Sequence, residues 1–169
     1  MVNKKFKNVL VVLGGTSGER AISLESGKAC IKALKNKGYK VKKFDPKIQN
    51  FNLINKKKTE VIFNALHGRY GEDGYIQLIL ENEKIKYTHS GVEASSICIN
   101  KLISKKIFVK KKITTPKYII LNENFKKNYN KIYKIVKKKL DFPVVIKPIN
   151  EGSSVGVYIC NKNNFITNL

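Results

Sequence analysis

Val9-Leu10-Val11-Val12-Leu13-Gly14-Gly15-Thr16-Ser17-Gly18-Glu19-Arg20 sets an unbroken apolar run against a glycine-rich polar turn. A strand with one wet face alternates apolar and polar residues, so a continuous run points to a strand covered on both faces, the condition of a parallel sheet. Leu24, Gly27, Ile31 and Leu34 then recur at helical spacing, and Gly38 stands where a helix-ending glycine belongs. Tyr39, Val41 and Phe44 read as a second strand stopped by Asp45-Pro46, which completes one β-α-β unit. Val61 to Leu66 is a third strand running into His67-Gly68-Arg69-Tyr70-Gly71-Glu72-Asp73-Gly74, and Ile76, Ile79 and Leu80 mark a short helix. The fold class is an open α/β sheet, Rossmann-like, whose ligands belong beyond the C-terminal strand ends. Glu19 and His67 both lie there.

After Tyr87-Thr88-His89-Ser90-Gly91 the pattern changes, and a boundary between residues 1–92 and 93–169 is expected there. Helices are expected from Val92 through Ile99 and from Asn100 to Val109, followed by a strand at Lys117 to Leu121 introduced by Thr115-Pro116. Tyr129, Ile132, Tyr133, Val136 and Leu140 are spaced as one face of an amphipathic helix. Pro143-Val144-Val145-Ile146-Lys147-Pro148 reads as a buried strand delivering one lysine to the loop Glu151-Gly152-Ser153-Ser154-Val155-Gly156, and a further strand is expected over Val155 to Cys160. Small, hydroxyl-rich residues beside a cation suit a polyphosphate: glycine lets backbone amides approach it, hydroxyls donate, and lysine supplies a point charge. ATP is the expected ligand.

The chain has 169 residues, 42% of them hydrophobic, and carries 34 lysines and arginines against 12 acids for a formal charge of +22. Such charge raises a nucleic-acid-binding module as an alternative. Its make-up argues for a solvated surface instead. Arginine, the residue suited to bidentate base contacts, occurs only at Arg20 and Arg69. The lysine runs 56–58, 110–112 and 137–139 are expected at loops and helix ends. The charged start through Lys7 followed by Val9 to Leu13 could mimic a signal peptide, but the apolar run is short and no small-residue cleavage site follows. No stretch reaches membrane-spanning length. Cys30, Cys98 and Cys160 have no paired metal-ligand spacing and fit a reducing compartment, so a cytoplasmic location is expected, with no nucleic acid and no membrane as partners.

Taken singly, these features have plain readings. Thr16-x-x-Glu19 matches a capping box, in which the glutamate returns to the helix N-cap amide. His67 fits an ordinary loop, Glu72-Asp73-Gly74 a turn, and Lys101 a helix rich in lysine. A Rossmann dinucleotide binder would share the first strand and turn, yet the glycine spacing is wrong and Asp45 meets the acidic position only weakly.

In order along the chain, Gly14 to Arg20 with Ser23-Leu24, Ala65-Leu66-His67-Gly68 with Gly71-Glu72-Asp73-Gly74, Ser90-Gly91-Val92, Asn100-Lys101-Leu102, and Ile146-Lys147-Pro148 with Glu151 to Gly156 closely resemble the D-alanine–D-alanine ligase family. The resemblance covers essentially the whole chain. It implies an N-terminal α/β substrate domain followed by the first α+β subdomain of an ATP-grasp fold, truncated, and an enzyme that phosphorylates the carboxylate of one D-alanine before the amine of a second attacks the acylphosphate. The dipeptide serves peptidoglycan synthesis. Carried over by motif, Glu19 holds the ammonium of the first D-alanine and His67 lies near its carboxylate. Lys101 and Lys147 contact ATP phosphates, and Glu151, Gly152, Ser153, Ser154 and Val155 close over them. Ser153 bonds Glu19 across the substrate, so both are assigned catalytic roles. Another ATP-dependent carboxylate–amine ligase is the alternative within enzymes.

The chain ends at Leu169, after roughly the first half of the family's usual length. In the family the remainder supplies the adenine pocket and the ligands for Mg2+ (or Mn2+), so the 169-residue polypeptide alone is expected not to catalyse ligation, to offer no metal ligands, and to dimerise only as the full-length homodimer. A smaller departure is His89, where family members more often carry a small residue; it is read as a surface-loop residue.

Overall fold

The computed structural model describes residues 6–54, 57–122 and 128–169. Lys56 and the first five residues, which enter the lysine-run and signal-peptide readings above, lie outside the described residues. The chain divides into two compact units, Met1–Ile99 and Asn100–Leu169.

The first unit is built on a three-stranded parallel sheet in the order β2-β1-β3, with β1 Asn8–Val12, β2 Lys40–Phe44 and β3 Val61–Asn64. Central β1 explains its own sequence. Val9, Val11 and Leu13 face a core completed by Ala65, Leu24, Ile31 and Leu34, while Leu10 and Val12 face a second core with Phe44, Ile62, Leu66, Ile76 and Leu80. Val11 and Val12 are fully buried. At roughly 1.5–3 kcal/mol for each aliphatic side chain removed from water, both faces of β1 favour the central position. Helix α1, Arg20–Asn36, lies on the first of these faces, and it approaches closely because residue 27 is glycine. A Cβ there would stand 2.5 Å from Leu13 Cβ. Helices α2, Tyr75–Asn82, and α3, Val92–Ile99, follow β3. They pack on one another within this unit, so α3 belongs to it. The outer edge of β3 is extended by a parallel bridge from Ile62 to Tyr87.

The second unit holds α4, Lys101–Lys110, α5, Tyr129–Lys139, and an antiparallel pair, β4 Val144–Ile146 with β5 Tyr158–Cys160. Ile132, Val136, Cys160 and Phe165 form its core, joined by Ile119, Leu121, Tyr133 and Phe142. Both helices are capped by asparagine: Asn100 Oδ1 accepts from the amides of Leu102 and Ile103, and Asn128 Oδ1 accepts from Lys131. Lysines 137–139 occupy the last turn of α5, as expected. Three expectations are corrected here. Lys117 to Leu121 is extended but forms no strand, because no described strand pairs with it. The strand ending at Lys147 is not buried on both faces: Val145 is 51% exposed. β5 begins only at Tyr158, since Val155 N–H and Val157 N–H are used by turns, on Gly152 O and Ser154 O.

Candidate functional site

The turn between β1 and α1 is held by hydroxyls. Ser23, fully buried on the first turn of α1, accepts from Gly14 N–H at 2.8 Å and donates to Ala65 O at 2.7 Å, joining the ends of β1 and β3. Ser17 Oγ donates to His67 O at 2.8 Å and accepts from Glu19 N–H. On the other side, the Arg20 guanidinium grips both oxygens of Asp45 and donates to Gly15 O, while Gly15 N–H donates back to Asp45. The glycine loop is therefore clamped between the ends of β2 and β3.

This frame presents Glu19. The residue is 2% exposed, and neither carboxylate oxygen has a hydrogen-bond partner. The capping-box reading is corrected: Glu19 is itself the N-cap of α1, and its side chain makes no cap bond. Gly68 sits against it with φ +67, and a Cβ at that position would stand 2.6 Å from Glu19 Oε1. A buried carboxylate without a donor costs several kcal/mol of lost hydration. Such a group suits a small cation that brings its own N–H donors.

His67 stands on the adjoining loop, half-buried, with Nε2 3.0 Å from Ser26 Oγ on α1 and Nδ1 3.4 Å from Glu72. Buried Asn64, the last residue of β3, organises this loop. Its Oδ1 accepts from Leu66 N–H at 3.1 Å, and its Nδ2 donates to Gly71 O at 2.8 Å. Nδ2 also lies 3.1 Å from His89 Nδ1, so the loop from Thr88 to Ser90 reaches the same place. The base of that loop is fixed by Tyr87, whose hydroxyl donates to Glu81; desolvation and this bond push the phenol up to about 12. His89 is exposed as a residue, yet the surrounding chain removes part of the hydration of its ring. That loss of hydration holds the imidazole below its ordinary value; Glu72 opposes the effect and His67 adds to it.

In the second unit, the N-terminus of α4 meets the loop after β4. Lys101 N–H donates to Ile149 O, and its Nζ bonds the carbonyls of Ile149 and Glu151. Lys147 is exposed at the end of β4. Glu151, Ser153, Ser154 and Val155 are also exposed, and Ser153 and Ser154 hold left-handed backbone with φ 45 and 63. The loop is drawn into turns by Val155 N–H on Gly152 O and Val157 N–H on Ser154 O. Lys101 and Glu151 are thus brought together here, as Glu19 and the His67–Gly68 loop are in the first unit.

Among the described residues, no group of three or more His, Cys, Asp or Glu could hold a metal ion, and no helix is long and apolar enough to cross a membrane. The residues that sequence reading missed are Ser17, Ser26 and Asn64, together with the placement of His89. Ser17 and Ser26 reach His67 across 50 and 41 residues of chain and Asn64 reaches His89 across 25, separations that no local pattern marks.

The family model described as D-ala D-ala ligase N-terminus matches residues 42–90, and that described as D-ala D-ala ligase C-terminus matches residues 107–168. The chain is similar to the D-alanine--D-alanine ligase of Pelagibacter ubique (strain HTCC1062), 58% identical over 163 residues that cover 96% of this chain and 53% of that protein. Its fold is similar to the crystal structure of D-alanine--D-alanine ligase from Bacillus anthracis, with TM-score 0.73, 36% identity, and coverage of 92% of this chain and 49% of that one. The Bacillus anthracis ligase complexed with ATP gives TM-score 0.73 at 33% identity, with 95% and 52% covered. The chain spans about half the length of the curated relatives it matches. Two family models, a strongly similar relative and the shared α/β architecture agree, and the chain belongs to the D-alanine–D-alanine ligase family.

Proposed function

We propose that this chain is the amino-acid-binding and first ATP-binding part of a ligase that joins two D-alanines for peptidoglycan synthesis in the cytoplasm. The observation that carries this reading is the buried Glu19 carboxylate with both oxygens unpartnered. An ammonium supplies three donors and the matching charge. The Ser17 hydroxyl ties the His67 carbonyl to the turn that carries Glu19, and on this reading the His67 side chain addresses the carboxylate of the same molecule.

The reaction on this reading has two displacements. A carboxylate oxygen of the first D-alanine attacks the γ-phosphorus of ATP and ADP leaves; the amine of the second then attacks the carbonyl carbon, phosphate leaves, and a proton is lost from nitrogen. Lys101 and Lys147 suit the phosphates by charge, and the loop at residues 151–155 suits them by its glycine and its hydroxyl side chains. Their contribution is to offset the repulsion between triphosphate and carboxylate and to keep water from the acylphosphate. Mg2+ belongs to the same reading, but the described residues include no group of three or more His, Cys, Asp or Glu that could hold it. Homodimeric assembly also belongs to the full-length form.

Titration of the 169-residue chain with D-alanine, followed by NMR, tests the assignment. Glu19→Gln keeps the shape and removes the charge, and affinity is expected to fall about tenfold or more. Equal affinity in the two proteins would sink the assignment.

A further inference from the structure

His89 has a left-handed backbone, φ 95, which a residue with a Cβ adopts only when something holds it there. We propose that His89 is a positioning residue for the first-substrate site, holding the segment that carries His67 and Gly68 through the carboxamide of Asn64. The proposal rests on the D-alanine reading of the pocket beside Glu19.

The argument turns on how Asn64 is used. Leu66 N–H donates to its oxygen, and Gly71 O, which also accepts from Gln77 Nε2, accepts from its nitrogen, so the carboxamide cannot be flipped without losing both of its bonds. One Nδ2 proton is spent on Gly71 O. The other is aimed at His89 Nδ1, which must accept it, and the imidazole proton therefore sits on Nε2. Asn64 sets the path of the chain from Leu66 to Gly71, within which lie His67 and the glycine that makes room for Glu19. His89 takes up the last free donor of that carboxamide.

Protonation removes the acceptor. An imidazolium would turn Nδ1–H toward the Nδ2 protons, and an attraction would become a repulsion. The charged and titratable groups acting on the ring are Glu72 and His67, both on the loop after β3. Asn64 on β3 is neutral. The lowered pKa of His89 fits a ring whose neutral form is the one bound in the fold.

The test uses the isotopically labelled 169-residue chain. Long-range nitrogen–proton NMR is expected to show His89 neutral with Nδ1 unprotonated. His89→Gly relieves the backbone and removes the acceptor. It is expected to speed amide exchange at Leu66, Gly71 and Glu72, and to weaken D-alanine about three- to tenfold. His89→Asn tolerates the same backbone and restores an acceptor. It is expected to recover the affinity but not the wild-type weakening as the pH falls past the lowered imidazole value. Unchanged exchange and affinity in His89→Gly overturn the proposal, and so does an equal loss in both variants. If the wild-type chain binds no D-alanine, the ligase reading fails, and amide exchange alone then decides whether His89 positions the loop.

Discussion

A methyl group at position 68 has nowhere to go. It meets the Glu19 carboxylate at 2.6 Å, on a backbone with φ +67 that only glycine adopts freely. Gly68→Ala is therefore expected to lower stability by about 1–3 kcal/mol in urea unfolding, and to weaken D-alanine binding. Adding Glu19→Ala should recover part of the stability but none of the binding, which separates steric cost from lost charge. Glu19 and His67 were legible in the sequence because strand-end residues beside glycine turns are few. The state of the Glu19 carboxylate was not legible, since a capping box has the same Thr-x-x-Glu pattern. Only the absence of donors around both oxygens distinguishes them.

The elements around Glu19 are joined by one half-buried carboxylate, Asp45, at the end of β2. Burial works against the ionised form of Asp45, but hydrogen bonds from Arg20 and from the amides of Lys47 and Gly15 hold its pKa below the ordinary 3.8. A carboxylate with a depressed folded pKa adds stability that is complete above the unfolded value and is lost as pH falls through the folded one. Thermal unfolding from pH 7 to pH 3 is expected to show that loss, and Asp45→Asn should flatten it. At pH 7 the same change should cost about 1–3 kcal/mol, and a pH profile identical to wild type would refute the role. Helices and parallel strands were readable from periodicity, down to Gly38 ending α1. The strand expected at Lys117 to Leu121 failed for a physical reason. Ile119 and Leu121 pack into the core while Ile120 is 48% exposed, so packing alone produces the alternation of a strand. Periodicity reports which side is buried; a ladder also needs a partner.

Across the whole molecule, charge and coverage decide what to expect of the polypeptide. Purified and given ATP, D-alanine and magnesium, the 169-residue chain is expected to release no ADP above background in a coupled assay; clear turnover would overturn that expectation. The charge of +22 is spread along the chain, with lysines 137–139 in the last turn of α5 and Lys110 in that of α4, where they suit the helix dipole. The two sheets meet water differently. On the edge strand β2, exposed Lys40, Lys42 and Lys43 make stacking against another copy unfavourable. Val145 and Ile159, paired across β4 and β5, are 51% and 75% exposed on a sheet of only two strands. A ribbon that short, with a greasy outer face, is marginal in water and sticky. The solubility of this strongly cationic polypeptide is therefore expected to be limited by the uncharged ribbon of its second unit.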